Sequence, residues 1–150
     1  MSTIDPITLE VVTEGLISVV REMRATVFLT ARSVAIYEAR DFSCGLFDAR
    51  GQVVAQSEDI GSHVVPLPWS VEASLRLLGD DLEPGDVIVM NDPYLGGTHL
   101  NDVTLIYPVF HEGELVFFPA VREHWADVGG AVPGSMSGSA TEIYQEGIRI

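Results

Sequence analysis

The sequence predicts an α+β fold in which a long N-terminal helix packs on antiparallel β-hairpins. Two observations carry that reading. Through the first thirty positions apolar residues recur at three- and four-residue steps. From Asp41 onward, strand-like runs are separated by short glycine-bearing turns.

The elements follow in order. Asp5-Pro6 reads as an N-cap followed by proline at the first helical position. Leu9, Val12, Leu16, Val19, Met23 and Val27 then form one face of an amphipathic helix that runs to about Ala31. Residues 33–40 are ambiguous in period. Residues 42–47 and 52–55 flank Asp48-Ala49-Arg50-Gly51, a turn whose glycine can take positive φ, so this is a hairpin. The segment 62–68 reads as extended, punctuated by two prolines. A helix over about 68–78 follows, closed by Gly79. Glu83-Pro84-Gly85-Asp86 is a turn, and 87–90 a buried strand. A glycine-rich loop over 95–101 leads to a second hairpin, with strands at about 103–110 and 114–121 joined by His111-Glu112-Gly113. Residues 129–138, rich in Gly, Ser and Pro, read as a long structured loop. Residues 140–147 look like a helix start or ordered turn, and Ile148-Arg149-Ile150 like the start of a strand. No closing element follows, so residues 1–150 are expected to be the front part of a larger domain.

The 150 residues carry 22 Asp+Glu against 8 Lys+Arg, a net charge of −14, and every basic residue is arginine. With 47% hydrophobic residues the chain has the apolar content of an ordered core, not of a disordered acidic tail. The charge excludes a binder of the nucleic-acid backbone, which needs clustered Lys and Arg. It also argues against an anionic membrane surface. No apolar stretch approaches the ~20 residues of a membrane span. The first residues lack the basic and apolar regions of a signal peptide, so the expected location is the cytoplasm. The lone Cys44 excludes an intramolecular disulfide. Its apolar setting, Phe42-Ser43-Cys44-Gly45-Leu46-Phe47, marks it as a buried, inert thiol.

Two of the four histidines lie in informative settings. His99-Leu100-Asn101-Asp102 enters the first strand of the second hairpin, and His124-Trp125-Ala126-Asp127 leaves its partner strand. Antiparallel pairing brings the two segments together. Two imidazoles and one or two carboxylates without thiolate suit Mn, Fe or Zn. Three protein ligands would leave open positions for water or substrate. His63, in Gly-Ser-His-Val-Val-Pro, is a candidate proton shuttle. Asp41 opens a buried strand as either an ion-pair partner or a substrate contact. Asp92, in Asn91-Asp92-Pro93, sits in a strand-end loop as either an Asx turn or a site residue. His111 lies at a hairpin tip and receives no function. No Gly-x-x-x-x-Gly-Lys and no Gly-x-Gly-x-x-Gly occurs, so nothing here cradles a nucleotide phosphate.

Several of these segments together resemble the hydantoinase B/oxoprolinase family. They are Asp5-Pro6-Ile7-Thr8-Leu9-Glu10-Val11-Val12, Arg40-Asp41-Phe42-Ser43-Cys44-Gly45-Leu46-Phe47-Asp48, Asn91-Asp92-Pro93-Tyr94-Leu95-Gly96-Gly97-Thr98-His99-Leu100, residues 124–130, and Ala140-Thr141-Glu142-Ile143-Tyr144-Gln145-Glu146-Gly147. They occur in the family's order over nearly the whole chain. Family members are several times longer, so the resemblance is to their N-terminal part. It implies a divalent metal, manganese in the acetone carboxylase branch, at positions matching His99, Asp102 and His124. Asp41, His63, Asp92 and Asp127 are the candidate catalytic residues beside it. Trp125 departs from the family, where many relatives carry a second histidine.

The resemblance further implies a subunit of an ATP-dependent hydrolase of hydantoins, 5-oxoproline or related lactams. ATP would be handled by a partner of the hydantoinase A type. The alternatives are an acetone carboxylase-like subunit acting on a ketone, and a truncated metal-binding or assembly fragment without activity.

Overall fold

The computed structural model describes residues 4–150. Helix α1 (Pro6–Thr30) starts where the sequence places it: the Asp5 carboxylate accepts the Thr8 amide at 3.0 Å, and Pro6 opens the helix. Its packed face is narrower than its apolar face. Leu16, Ile17, Val20, Met23, Val27 and Phe28 meet the sheet, whereas Leu9, Val12 and Val19 stay exposed. The first turns of α1 extend past the sheet, so the predicted stripe is core only in its second half.

Residues 33–40 contain one helical turn, α2 (Val34–Tyr37), whose Ile36 joins the same cluster. The first hairpin is as expected, with β1 (Phe42–Asp48) and β2 (Val53–Gln56). The Asp48 carboxylate accepts the amides of Arg50 and Gln52, and Gly51 sits at φ 78°.

The next segment corrects the sequence reading. Residues 62–68 are not extended. Gly61–Val64 form a helical turn, α3, and α4 (Leu67–Leu78) begins almost at once. The Ile60 carbonyl accepts the amides of His63 and Val64, which winds the turn. Pro68 lies in the first turn of α4, where a missing N–H costs nothing. The prolines therefore punctuate helices. Gly79 does not stop α4 in a left-handed conformation either. The chain continues through a 3₁₀ turn, Gly79–Asp81.

Strand β3 (Ile88–Met90) precedes the second hairpin, which comprises β4 (Asp102–Ile106), β5 (Val109–His111) and β6 (Glu114–His124). The single strand expected over 103–110 is broken at Tyr107-Pro108, because Pro108 has no amide to donate. The register survives the break: Ile106 lies opposite Ala120 and Val109 opposite Phe117.

The six strands of the described residues form one antiparallel sheet in the order β2-β1-β6-β4-β3, with β5 also on β6. Alternation along the strands separates two cores. Phe42, Cys44 and Leu46 face α1, with Val20, Ile36 and Ala55. Phe47, Ile106, Phe118 and Ala120 face α4, with Leu67 and Val71. The sheet is thus covered by helix on both faces, and its long central strand β6 ends at His124.

Candidate metal centre

His124 ends β6 directly opposite Asp102, the first residue of β4. On its other side the His124 amide donates to the carbonyl of Asp41, just before β1. Three strands from distant parts of the chain therefore deliver Asp41, His124 and Asp102 to one end of the sheet. His99 arrives from the loop before β4, and His63 from α3.

Asp102 is the hub. It is fully buried. Its Oδ1 lies 2.6 Å from His124 Nδ1 and 3.4 Å from His63 Nε2, and its Oδ2 lies 3.1 Å from His99 Nδ1. Oδ2 also accepts the His99 amide at 2.9 Å and the Thr98 hydroxyl. Burial by itself would raise the pKa of this carboxyl. The hydrogen bonds from His63, Thr98, the His99 amide and His124 outweigh it and hold the group well below the ordinary carboxylate range. Asp102 is therefore ionised and aimed at its neighbours.

The second carboxylate, Asp41, lies 3.3 Å from His63 Nε2 and 4.0 Å from His124 Nδ1. His63 thus stands between two carboxylates, and its Nδ1 is buried without a hydrogen-bond partner. Among the described residues two triads have donor atoms within 4.8 Å of one another: His99, Asp102, His124, and Asp41, His63, His124. They share His124. Two nitrogens and a carboxylate oxygen form a donor set for a borderline-to-hard divalent cation. The side chain of His99 is 61% exposed and that of His124 16%, so the cluster opens on the His99 side. A cavity of about 240 Å³ adjoins it there, lined by His99, Asn101, Met136, Ser137 and Glu146 among others.

Two of the predicted residues stand elsewhere. Asp127 Oδ1 accepts the Gly129 amide at 2.8 Å and the Ser135 hydroxyl at 2.9 Å, and its Oδ2 accepts the Gly134 amide at 2.9 Å. The Gly129 and Gly134 amides and the Ser135 hydroxyl lower its pKa. It folds the 129–138 loop on itself, and it is in neither triad. Asp92 Oδ1 accepts the Tyr94 amide at 2.9 Å in an Asx turn, and its Oδ2 lies 3.6 Å from Arg149. Asp92 shapes the glycine-rich loop and is likewise outside the triads.

Other residues at the site had no sequence signal of their own. Asn101 is buried, and its side chain donates to the Trp125 carbonyl at 2.8 Å while its carbonyl accepts the Trp125 amide at 2.8 Å. That pair ties the His99 loop to the end of β6. Arg122 is fully buried under the cluster. Burial lowers its guanidinium to about 10, with the Asp102 charge opposing, so it stays charged at neutral pH. Asn101 lies between His99 and Asp102, and alternation along β6 puts Arg122 on the same face as His124 once the strand is known.

The comparisons with known proteins agree with this architecture. Caprolactamase subunit beta from Pseudomonas jessenii is 41% identical over 150 residues, covering all of this chain and 26% of that one. The crystal structure of the ATP-dependent caprolactamase from that organism superposes with a TM-score of 0.92 over 99% of this chain. The nucleotide-free structure of acetone carboxylase superposes with a TM-score of 0.87 at 25% identity, over 98% of this chain and 20% of that one. The 5-oxoprolinase of Saccharomyces cerevisiae is 39% identical over 148 residues, which are 98% of this chain and 12% of the yeast protein. The chain thus spans about a quarter or less of the length of these relatives. The family model described as hydantoinase B/oxoprolinase matches residues 5–150, and the chain belongs to that family.

Proposed function

We propose that this chain is the metal-bearing part of an ATP-dependent hydrolase of cyclic amides, of the kind that opens 5-oxoproline, hydantoins or related lactams. The observation that carries the reading is the convergence of His99, His124 and His63 on the buried, ionised carboxylate of Asp102. The family names supply the substrate class.

His99, Asp102 and His124 would hold a divalent ion, most simply manganese, with zinc or iron fitting the same donors. Such an ion supplies Lewis-acid polarisation of a carbonyl or phosphoryl oxygen and lowers the pKa of bound water. The chain's own residues do the rest. Asp102 orients both imidazoles through its two oxygens. His63, set between Asp41 and Asp102, holds or relays a proton at Nε2, and Asp41 is its acceptor at the open end of the strand. Asp127 and Asp92 act one step removed, by holding the loops around the site.

ATP belongs to a partner of the hydantoinase A type in this reading, because the chain contains no phosphate loop and no lysine. That partner would activate the carbonyl oxygen by phosphorylation, and this subunit would complete the ring opening. The reading is of a hetero-oligomer working in the cytoplasm, and the isolated 150 residues are expected to have no turnover.

Metal analysis of the full-length protein and of its His99→Ala and His124→Ala variants tests the site. Stoichiometric metal that survives both changes sinks the assignment. The likeness to acetone carboxylase supports a second reading, addition of carbon dioxide to a ketone. Assaying the assembled complex with lactam and ATP, against ketone, bicarbonate and ATP, separates the two.

A further inference from the structure

Arg122 heads the fully buried side chains by size, and the function proposed above does not use it. It lies on the α4 side of β6, two residues before His124. Thr104 on β4 and Ser43 on β1 are its cross-strand neighbours, so this row directly underlies the row of Asp102 and His124. Further along the same face the sheet becomes apolar, through Ala120 and Ile106 to Phe47 and Phe118. Arg122 therefore marks the boundary between the polar end of the sheet and the hydrophobic core.

A guanidinium buried there must find its partners inside the protein. Nε and Nη2 find them on three separate elements, while Nη1 is buried without a hydrogen-bond partner. Nε donates to Thr104 Oγ1 on β4 at 2.8 Å. Nη2 donates to Ser70 Oγ on α4 at 2.6 Å and to the Gly96 carbonyl at 2.9 Å, in the loop that leads to His99. The Ser70 hydroxyl donates to the same carbonyl at 3.0 Å. Gly96 is pressed against α4 at φ 92°, where a Cβ would lie 2.6 Å from the Ser70 amide nitrogen. Among the described residues no carboxylate forms a salt bridge with Arg122. A buried cation without such a partner lowers stability relative to an apolar residue of similar volume, so packing does not account for it.

We infer that Arg122 is a positioning residue of the metal centre: its guanidinium ties the Gly96 loop, β4 and α4 to β6, and so sets His99 and Asp102 against His124 before an ion arrives. The inference rests on the metal reading of those three residues. Their donors come from a loop and two strands, and a site held in advance loses less freedom on binding. Asn101 braces the outer side of the same loop against Trp125, and Arg122 braces the inner side. The planar fork of arginine reaches several acceptors in fixed directions, which the point charge of lysine does not.

Arg122→Lys is therefore the informative variant, because it keeps the charge and loses the fork. In the full-length protein, Mn²⁺ affinity is measured by titration and ligand geometry by the visible absorption of Co²⁺. The wild type is expected to bind one ion per chain. Arg122→Lys and Arg122→Met are expected to bind about 10–100-fold more weakly, with an altered Co²⁺ spectrum, as for other supports of metal ligands. Ser70→Ala and Thr104→Val, which each remove one acceptor, should weaken binding in the same direction by less. They carry the test if the Arg122 variants do not fold. Wild-type affinity and spectrum in a folded Arg122→Lys protein overturn the inference, even if its melting temperature falls. If Arg122→Lys does not fold, the same result in both Ser70→Ala and Thr104→Val overturns it. A wild-type protein that binds no metal overturns the metal reading itself and this inference with it.

Discussion

The segments 99–102 and 124–127 share one spacing, histidine followed three residues later by aspartate, and they meet at the same end of the sheet. Their aspartates do different work. Asp102 begins β4, so its side chain faces α4 beside His124, buried and surrounded by donors. Asp127 follows the end of β6, where the chain leaves the sheet and curls, and its carboxylate caps a loop in solvent. A three-residue spacing has no fixed meaning by itself. Pairing decides which of the two carboxylates enters the cluster.

The contrast can be broken most directly at the hub. Asp102→Ala should abolish stoichiometric metal binding and destabilise the metal-free protein by about 2–4 kcal/mol, since it leaves buried hydrogen-bond donors without an acceptor. Metal analysis and denaturant unfolding measure the two effects. Asp127→Ala should leave metal content unchanged and speed hydrogen exchange at the Gly129 and Gly134 amides. Equal metal loss in both variants would erase the distinction.

Next in size is the loop that carries His99. Gly96→Ala forces a side chain into a left-handed conformation and against the backbone of α4. It should cost about 2–4 kcal/mol and lower metal occupancy with it. Gly138→Ala, at a position with nothing within 4 Å of the new Cβ, should change stability by no more than about 0.5 kcal/mol. Thermal unfolding of the pair reads the difference.

The opposite face of the sheet sharpens the comparison through Cys44. Burial, reinforced by Asp59 and Glu123, raises this thiol from 9.0 to about 12. The unfolded thiol ionises first as pH rises, so its contribution is complete below about pH 9 and is lost between there and about pH 12. The slope is at most about 1.4 kcal/mol per pH unit. Urea midpoints from pH 8 to 11 should fall more steeply for the wild type than for Cys44→Ala. Rapid alkylation of the folded protein at pH 8 would contradict its inertness.

The smallest effect is expected at Asp92→Asn. An amide oxygen can still accept the Tyr94 amide, so stability should change by about 0.5 kcal/mol or less and metal should be retained. A large metal loss there would move Asp92 into the site.

Much of the site was legible because its signals are local or follow from a hairpin. The segments 99–102 and 124–127 could be paired from the turn at Glu112-Gly113, since antiparallel strands close back on themselves, and the family resemblance singled out His99, Asp102 and His124 within them. Asp41 and His63 were singled out, but their approach to Asp102 depends on β1 lying beside β6 and on a helical turn at Gly61–Val64. Two prolines made that turn look extended. Arg122 carried no signal because a buried arginine reads as a surface residue until its neighbours are known.

The sequence alone determined the capped start of α1 and both hairpins, through capping, turn chemistry and strand alternation, which act over a few residues. Only the tertiary structure decided that the first turns of α1 stay uncovered, that Asp127 turns away from the imidazoles to hold a loop, and that Arg122 lies beneath them. Those outcomes depend on the order β2-β1-β6-β4-β3, which unites segments dozens of residues apart. Burial and hydrogen bonding across that distance are properties of the assembled sheet, and no local pattern encodes them.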